Sequence, residues 1–258
     1  MARRSYTKLY GLLCLALIVC GILYYLRRAE GFQATSTMDL VVARYEEDIS
    51  WVKNIPEDLY TRMIIYNKGT DAEFDLPKSQ VIPLPNFGRE GHTYLTHIVN
   101  NYDNLPDITF FVPGSSKTNQ EKMRRVMKIA EYLKENRTSI ILGHKDIQTI
   151  DEANTFKIDE WKSTSMENAN KNPESTIQAS TDRPLKVWFE KRFNGDSINC
   201  VSFLGIVAVS REDIRKRPAE FYYNLSQEML STNPETGHYI ERVWKHILSI
   251  DDDKCLPV

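Results

Sequence analysis

The amino-acid sequence predicts an α/β domain built on an open, mostly parallel sheet flanked by helices and preceded by one transmembrane helix. Short continuous runs of β-branched and aromatic residues at 39–44, 62–66, 80–84, 107–112 and 139–142 read as strands covered on both faces. Segments of helical periodicity separate several of these runs, and such alternation argues for a parallel sheet. Leu9 to Leu26 contains no charged side chain.

That first run is the predicted anchor. About 18 residues of helix at roughly 1.5 Å per residue span roughly 27 Å, close to the thinner hydrocarbon core of an endoplasmic reticulum membrane. Tyr10, Tyr24 and Tyr25 sit near its ends, where amphipathic rings prefer to lie. A cleaved signal peptide needs a shorter apolar core and small residues at a cleavage site. Here the run enters Arg27 and Arg28 directly, and Phe32-Gln33-Ala34 places a bulky residue where a small one is needed, so a retained anchor is favoured. Arg3, Arg4 and Lys8 precede the run and two arginines follow it, a bias that puts the N-terminus in the cytoplasm. The expected organisation is a basic cytoplasmic tail over 1–8, an anchor over 9–26, a stem over 27–37 and one globular domain over 38–258.

Along the domain, Tyr94, Leu95, Ile98, Val99, Tyr102 and Leu105 form a wide apolar helix face. Thr118 with Glu121 reads as a capping box opening a helix whose stripe is Met123, Val126, Met127, Ala130 and Leu133. The stretch 149–184 is rich in Asn, Ser, Thr, Lys and Glu and reads as a polar insertion, either a functional lid or a disordered segment. Leu185 to Phe193 is expected to be helical and Phe203 to Val209 a strand, followed by helices opened by Ser210 with Asp213 and by Pro218. Ile240, Val243, Trp244 and Ile247 have the core spacing of a last helix.

Charge and motifs narrow the chemistry. The chain carries −2 overall; residues 1–30 hold +4, leaving −6 on the remainder, which argues against binding a nucleic-acid backbone. The sequons Asn136-Arg137-Thr138 and Asn224-Leu225-Ser226 suit a lumenal or external domain, although such triplets also arise by chance. Cys200 and Cys255 read as one disulfide in an oxidising compartment or as two buried thiols. The sequence contains no hydrolase elbow, zinc spacing, P-loop or dinucleotide fingerprint, so neither a metal nor a resident cofactor is expected.

In open α/β sheets ligands bind beyond the carboxyl ends of the strands. Those ends carry Arg44 and Tyr45 with Asp48 and Trp51 behind them, then Asn67 and Lys68, then Asn86 to His92, then Ser115. Gly88 and Gly91 flank Arg89 and Glu90 where a helix begins, an arrangement suited either to an anion, with Arg89 and His92 as ligands, or to a tight turn with a surface ion pair. In Gly237 to Trp244, helical spacing puts His238, Glu241 and Lys245 on one face, read as a general base beside its helpers or as a surface Glu–Lys pair.

Val42-Ala-Arg-Tyr45 with Asp48 and Trp51, Ile65-Tyr-Asn-Lys-Gly69, Leu84-Pro-Asn-Phe-Gly-Arg-Glu-Gly-His-Thr-Tyr-Leu95 and Asn101-Tyr-Asp-Asn-Leu-Pro106 resemble a widespread domain-of-unknown-function family. The C-terminal half, with Gly205, Val209-Ser210, Arg217-Pro218, Tyr222 and the block 237–244, is similar to the ends of such proteins and of some glycosyltransferases. The resemblance implies a glycosyltransferase A-type nucleotide-sugar domain. Many such transferases hold a divalent metal with Asp-x-Asp at a strand end; here the strand ends in Val112-Pro-Gly-Ser115, which implies metal-independent transfer. The expectation is a type II membrane protein of the secretory pathway that moves a sugar from a nucleotide sugar to a glycan or protein acceptor. Tyr45 or Trp51 would stack the base, Arg44, Lys68, Arg89 and His92 would hold phosphates, and Glu241, with His238 beside it, would deprotonate the acceptor. Asp48, Asn67 and Ser115 would line the substrate. A non-catalytic glycan- or protein-binding module is the alternative, with a Ser115 hydrolase third.

Overall fold

The computed structural model describes residues 36–159 and 177–258. The predicted tail, anchor and stem up to residue 35, and positions 160–176 of the predicted insertion, lie outside the described residues. Among the described residues no helix is long and apolar enough to cross a membrane.

Thr37–Val258 forms one unit around a seven-stranded sheet. Its strands are β1 (Met38–Arg44), β2 (Arg62–Asn67), β3 (Ser79–Pro83), β4 (Ile108–Pro113), β5 (Ile140–His144), β6 (Val201–Ser210) and β7 (Cys255–Pro257), in the spatial order β3-β2-β1-β4-β6-β5-β7. The first four strands are mutually parallel and β5 is parallel to β7, while β6 runs antiparallel to both neighbours. The sheet is therefore mostly parallel, with one reversed strand. That reversal carries the first half of β6 past the carboxyl end of β4.

The period-two strand pattern feeds two apolar layers. Val41, Ile64, Tyr66, Phe111 and Val207 point to one face, against Tyr94, Leu95 and Ile98 of α1 (Arg89–Asn101). Leu40, Val42, Met63, Phe110 and Ala208 point to the other, against Val126, Ile129 and Leu133 of α2 (Gln120–Glu135). β3 departs from the expectation of strands covered on both faces: as the edge it leaves Val81 42 % exposed, and Pro83 is tolerated there.

Three helix expectations are corrected. Asn119, not Thr118, caps α2, accepting hydrogen bonds from the N–H groups of Glu121 and Lys122, while the Thr118 hydroxyl donates to Ser115 O. The polar stretch from 149 is partly regular, because Asp146 caps α3 (Ile147–Thr155), which packs on α4 (Leu185–Phe193). After α5 (Arg211–Arg215) and α6 (Ala219–Gln227), the predicted last helix is two, α7 (Glu235–Arg242) and α8 (Trp244–Ile247), broken where Val243 turns to φ −123° and ψ 25°.

Cys200 and Cys255 are joined, their Sγ atoms 2.12 Å apart, so the start of β6 is tied to β7 across β5. Gly143 of β5 lies beneath the bridge, and a Cβ there would stand 2.6 Å from Cys200 Sγ. Asn136 is exposed at the C-terminal end of α2, and Asn224 is exposed on α6.

Candidate functional site

The carboxyl ends of β1, β2 and β4 and the first half of β6 gather at one edge of the sheet, and the predicted polar rim divides there into two groups. One group is occupied with building the edge. Arg44 donates to Asn67 Oδ1 at 2.5 Å, to Thr70 O and to Glu47 O, and its guanidinium lies 5.1 Å from the Phe74 ring centroid. Asn67 in turn donates to Thr70 O. Both side chains are buried, so they fix the turn after β2 rather than face a ligand. Trp51 is buried with its indole N–H donating to Gly114 O, which removes it as a base-stacking ring. Tyr45 remains half-buried. Asp48 is exposed and paired with Lys117 at 2.7 Å, which together with Ser50 holds its carboxyl at about 2.

Lys68 is corrected more sharply. Its ammonium is buried and donates to Phe87 O and Arg89 O, at 2.5 Å each, clamping the turn that opens α1. Burial pulls it down to about 7, with Glu90 opposing. The turn needs this support because Gly88 and Arg89 have φ of 57° and 52° in succession. Gly88 is required twice over, since a Cβ there would also meet Met229 Cβ at 2.7 Å. His92, edge-on to Phe87, is buried beside Lys68; burial and that charge lower it to about 4, so it is neutral and offers a phosphate no charge.

The second group converges on a cleft. Arg89 and Glu90 from the start of α1 meet His238 and Glu241 of α7 and Trp244 of α8 around a cavity of about 10 Å³, room for roughly one water. The two motifs singled out in the sequence are almost 150 residues apart and form one site because α1 packs on α7. Glu90 is only 18 % exposed. Burial alone would raise its carboxyl, but Arg89 and then Lys122 bring it below the ordinary range. His238 is lowered to about 3 by burial, with Arg89 and Arg242 adding to the effect, and so lines the cleft as neutral imidazole.

The chain matches, over residues 40–257, a family described as a protein of unknown function, DUF3431. It belongs to that family. No curated protein matches it. The matched region runs from within β1 to the end of β7 and therefore contains every residue that lines the cleft.

A distorted part of β6 backs two of the residues that line the cleft, Glu90 and Glu241. Leu204 and Gly205 have φ of 76° and 64°, a costly backbone for a leucine. Glu241 Oε1 accepts from Leu204 N–H at 2.7 Å, the Ser202 hydroxyl donates to Glu241 O, and Tyr94 OH donates to Gly205 O. A Cβ on Gly205 would lie 2.9 Å from Glu90 Cγ, so this glycine lets the two elements touch. Ser115, at the end of β4, receives a 2.7 Å hydrogen bond from Lys122. Lys245 does not join His238 and Glu241. The break at Val243 turns it to Asn199 and Asp252, beside a separate cleft of about 460 Å³ that also borders His246 and Arg217.

Sequence reasoning missed Glu90, Lys122 and Gly205 as members of the site. An acidic residue in a helix first turn already has a reason to be there, and Lys122 shows only the pattern of a solvated helix face. Glu235 was also missed. It is fully buried at the start of α7 and accepts from Ile158 N–H, Ser180 N–H and Arg183, so it pins the chain on either side of residues 160–176 to the helix that carries His238 and Glu241. Glu235→Gln removes one charged acceptor from this set and is expected to lower stability by about 2–3 kcal/mol in urea unfolding. A change below about 0.5 kcal/mol would show that the anchoring is not a charged one.

Proposed function

We propose that this domain is a glycosyltransferase-like catalytic module that moves a sugar from a nucleotide sugar to a glycan or protein acceptor without a divalent metal. The observation that carries the reading is the meeting of Arg89 and Glu90 with His238 and Glu241 at the carboxyl edge of a mostly parallel sheet. Glu241 is the acceptor base, held in place by Leu204 N–H through one carboxylate oxygen, with the other left for an incoming hydroxyl. Neutral His238 beside it hydrogen-bonds the acceptor without competing for charge. Arg89 offsets negative charge as the diphosphate departs. Tyr45 is the aromatic ring that remains for the base. The charge-free run 9–26 supports a type II anchor, and a disulfide in the domain together with the exposed Asn136 supports a lumenal location.

The test is transfer by the full-length protein in detergent against a panel of nucleotide sugars, with and without chelator. Glu241→Gln preserves the acceptor for Leu204 N–H while removing the base, and is expected to lower kcat by about a hundredfold or more with little change in melting temperature. Failure to bind any nucleotide sugar would overturn the transfer reading, and activity abolished by chelator would overturn its metal independence alone.

A second reading has its own support. Lys68 bonds two backbone carbonyls, Glu241 bonds a backbone N–H, and the cavity holds about one water. These features suit a rigid, non-catalytic glycan- or protein-binding module. On that reading Glu241→Gln leaves cellular function intact.

A further inference from the structure

Arg242 ends α7, one residue beyond Glu241. Its guanidinium carbon lies 3.5 Å from the ring centroid of Phe156 and 5.3 Å from that of Phe203, and its Nη1 donates to His238 O at 2.9 Å. Phe203 precedes Leu204 of β6, whose N–H bonds Glu241, and His144 meets the Phe203 ring edge-on at 5.6 Å. Contact with the two rings and the His238 carbonyl fixes the plane of the guanidinium. Among the described residues no carboxylate forms an ion pair with it. Burial brings the guanidinium below its ordinary value, with the Glu241 charge opposing.

Two of the cations expected to hold phosphate are engaged with the protein itself. Arg44 is bonded to Asn67 and Thr70, and Lys68 to two carbonyls. A guanidinium has five N–H donors in a rigid fork. With one used on His238 O, the remaining edge of Arg242 can meet two oxygens of one tetrahedral anion. Poor solvation strengthens such a contact, because little water must be displaced from the cation.

We propose that Arg242, held against Phe156 and Phe203, receives a phosphate oxyanion of a ligand bound at the end of α7, beside this cleft. The choice of phosphate over another oxyanion rests on the transfer reading; the receptor geometry does not. Of the phosphate ligands suggested by the sequence, it keeps Arg89 and replaces Arg44, Lys68 and His92 with a contact at the end of α7, beside the acceptor base.

The experiment titrates inorganic pyrophosphate into the full-length protein in detergent, by calorimetry and by following the Arg242 Nε–H resonance. Saturable binding with a shift of that resonance is expected. Arg242→Met is expected to weaken binding about tenfold or more. Arg242→Lys is expected to weaken it as well, because it retains the charge but not the fork. No saturable binding, an unmoved resonance or unchanged affinity in Arg242→Met would each overturn the proposal. The resonance keeps the test decisive if a variant misfolds. Pyrophosphate bound at Arg242 by a protein that transfers from no nucleotide sugar would sink the transfer reading alone. Transfer with unchanged pyrophosphate affinity in Arg242→Met would sink this proposal alone.

Discussion

Acidification from pH 7 to pH 5 is expected to remove most of the stability of this domain. His92, His97, His238 and His246 are all buried, and burial is the largest cause that lowers them, to about 4, 3, 3 and 3. An unfolded chain returns each to about 6.5. These folded values are depressed, so the unfolded state binds more protons between the two limits and stability rises with pH there. The contribution is complete above about pH 6.5 and is lost as pH falls toward 3–4. At pH 5 each depressed histidine removes about 2 kcal/mol, and the four together remove about 8 kcal/mol, against a typical total of about 5–15 kcal/mol. Lys68 has the same sign in a higher window: lowered to about 7, its penalty is complete below that pH and fades toward the ordinary lysine value of 10.5. Urea unfolding at pH 7.5, 6.5, 5.5 and 5.0 measures the slope directly. Stability that stays level across that range would show that these imidazoles are protonated in the folded state. His97 makes the strongest single contribution to test, because it is fully buried with Tyr66 OH 3.2 Å from its Nδ1.

Replacing both Cys200 and Cys255 by alanine is expected to destabilise the domain by about 4 kcal/mol. The bridge closes a loop with a sequence separation of 55, and loop-closure entropy for about that many residues corresponds to about 4 kcal/mol. The loss should concentrate at β7, a three-residue edge strand held otherwise by its pairing to β5 and by Lys128 donating to Pro257 O. Hydrogen exchange should therefore show the amides of residues 255 and 256 opening before those of β1 and β4. Both sulfurs are buried, so reductant acts only on the opened chain, and native protein should resist mild reduction until heated. A double variant within about 1 kcal/mol of the parent would mean that the bridge constrains the unfolded chain less than its loop length implies.

The site was legible in pieces. Gly88-Arg-Glu-Gly91 and Gly237-His-Tyr-Ile-Glu241 were visible because glycines at a helix start and a His–Glu pair at helical spacing are local patterns. Their union was not visible, because contact between α1 and α7 depends on how helices cross the sheet. Single-residue roles were misread for the same reason. Arg44, Asn67 and Lys68 occupy the strand ends where ligands commonly bind, but their polar atoms satisfy backbone groups of neighbouring turns, a demand set by the path of the chain in three dimensions.

What the sequence determined by itself was local and periodic: strands whose runs of β-branched and aromatic residues require two covered faces, helices whose apolar stripes match 3.6 residues per turn, and the order in which they alternate. It also determined the charge-free run 9–26 and the acidity of the globular region. Tertiary structure decided the reversed direction of β6, the break at Val243 that separates Lys245 from Glu241, the pairing of Cys200 with Cys255, and the burial that keeps four histidines neutral. Periodicity is a property of neighbours along the chain. Strand direction, ion pairing and desolvation depend on residues brought together from far apart, and their energies exist only once those residues meet.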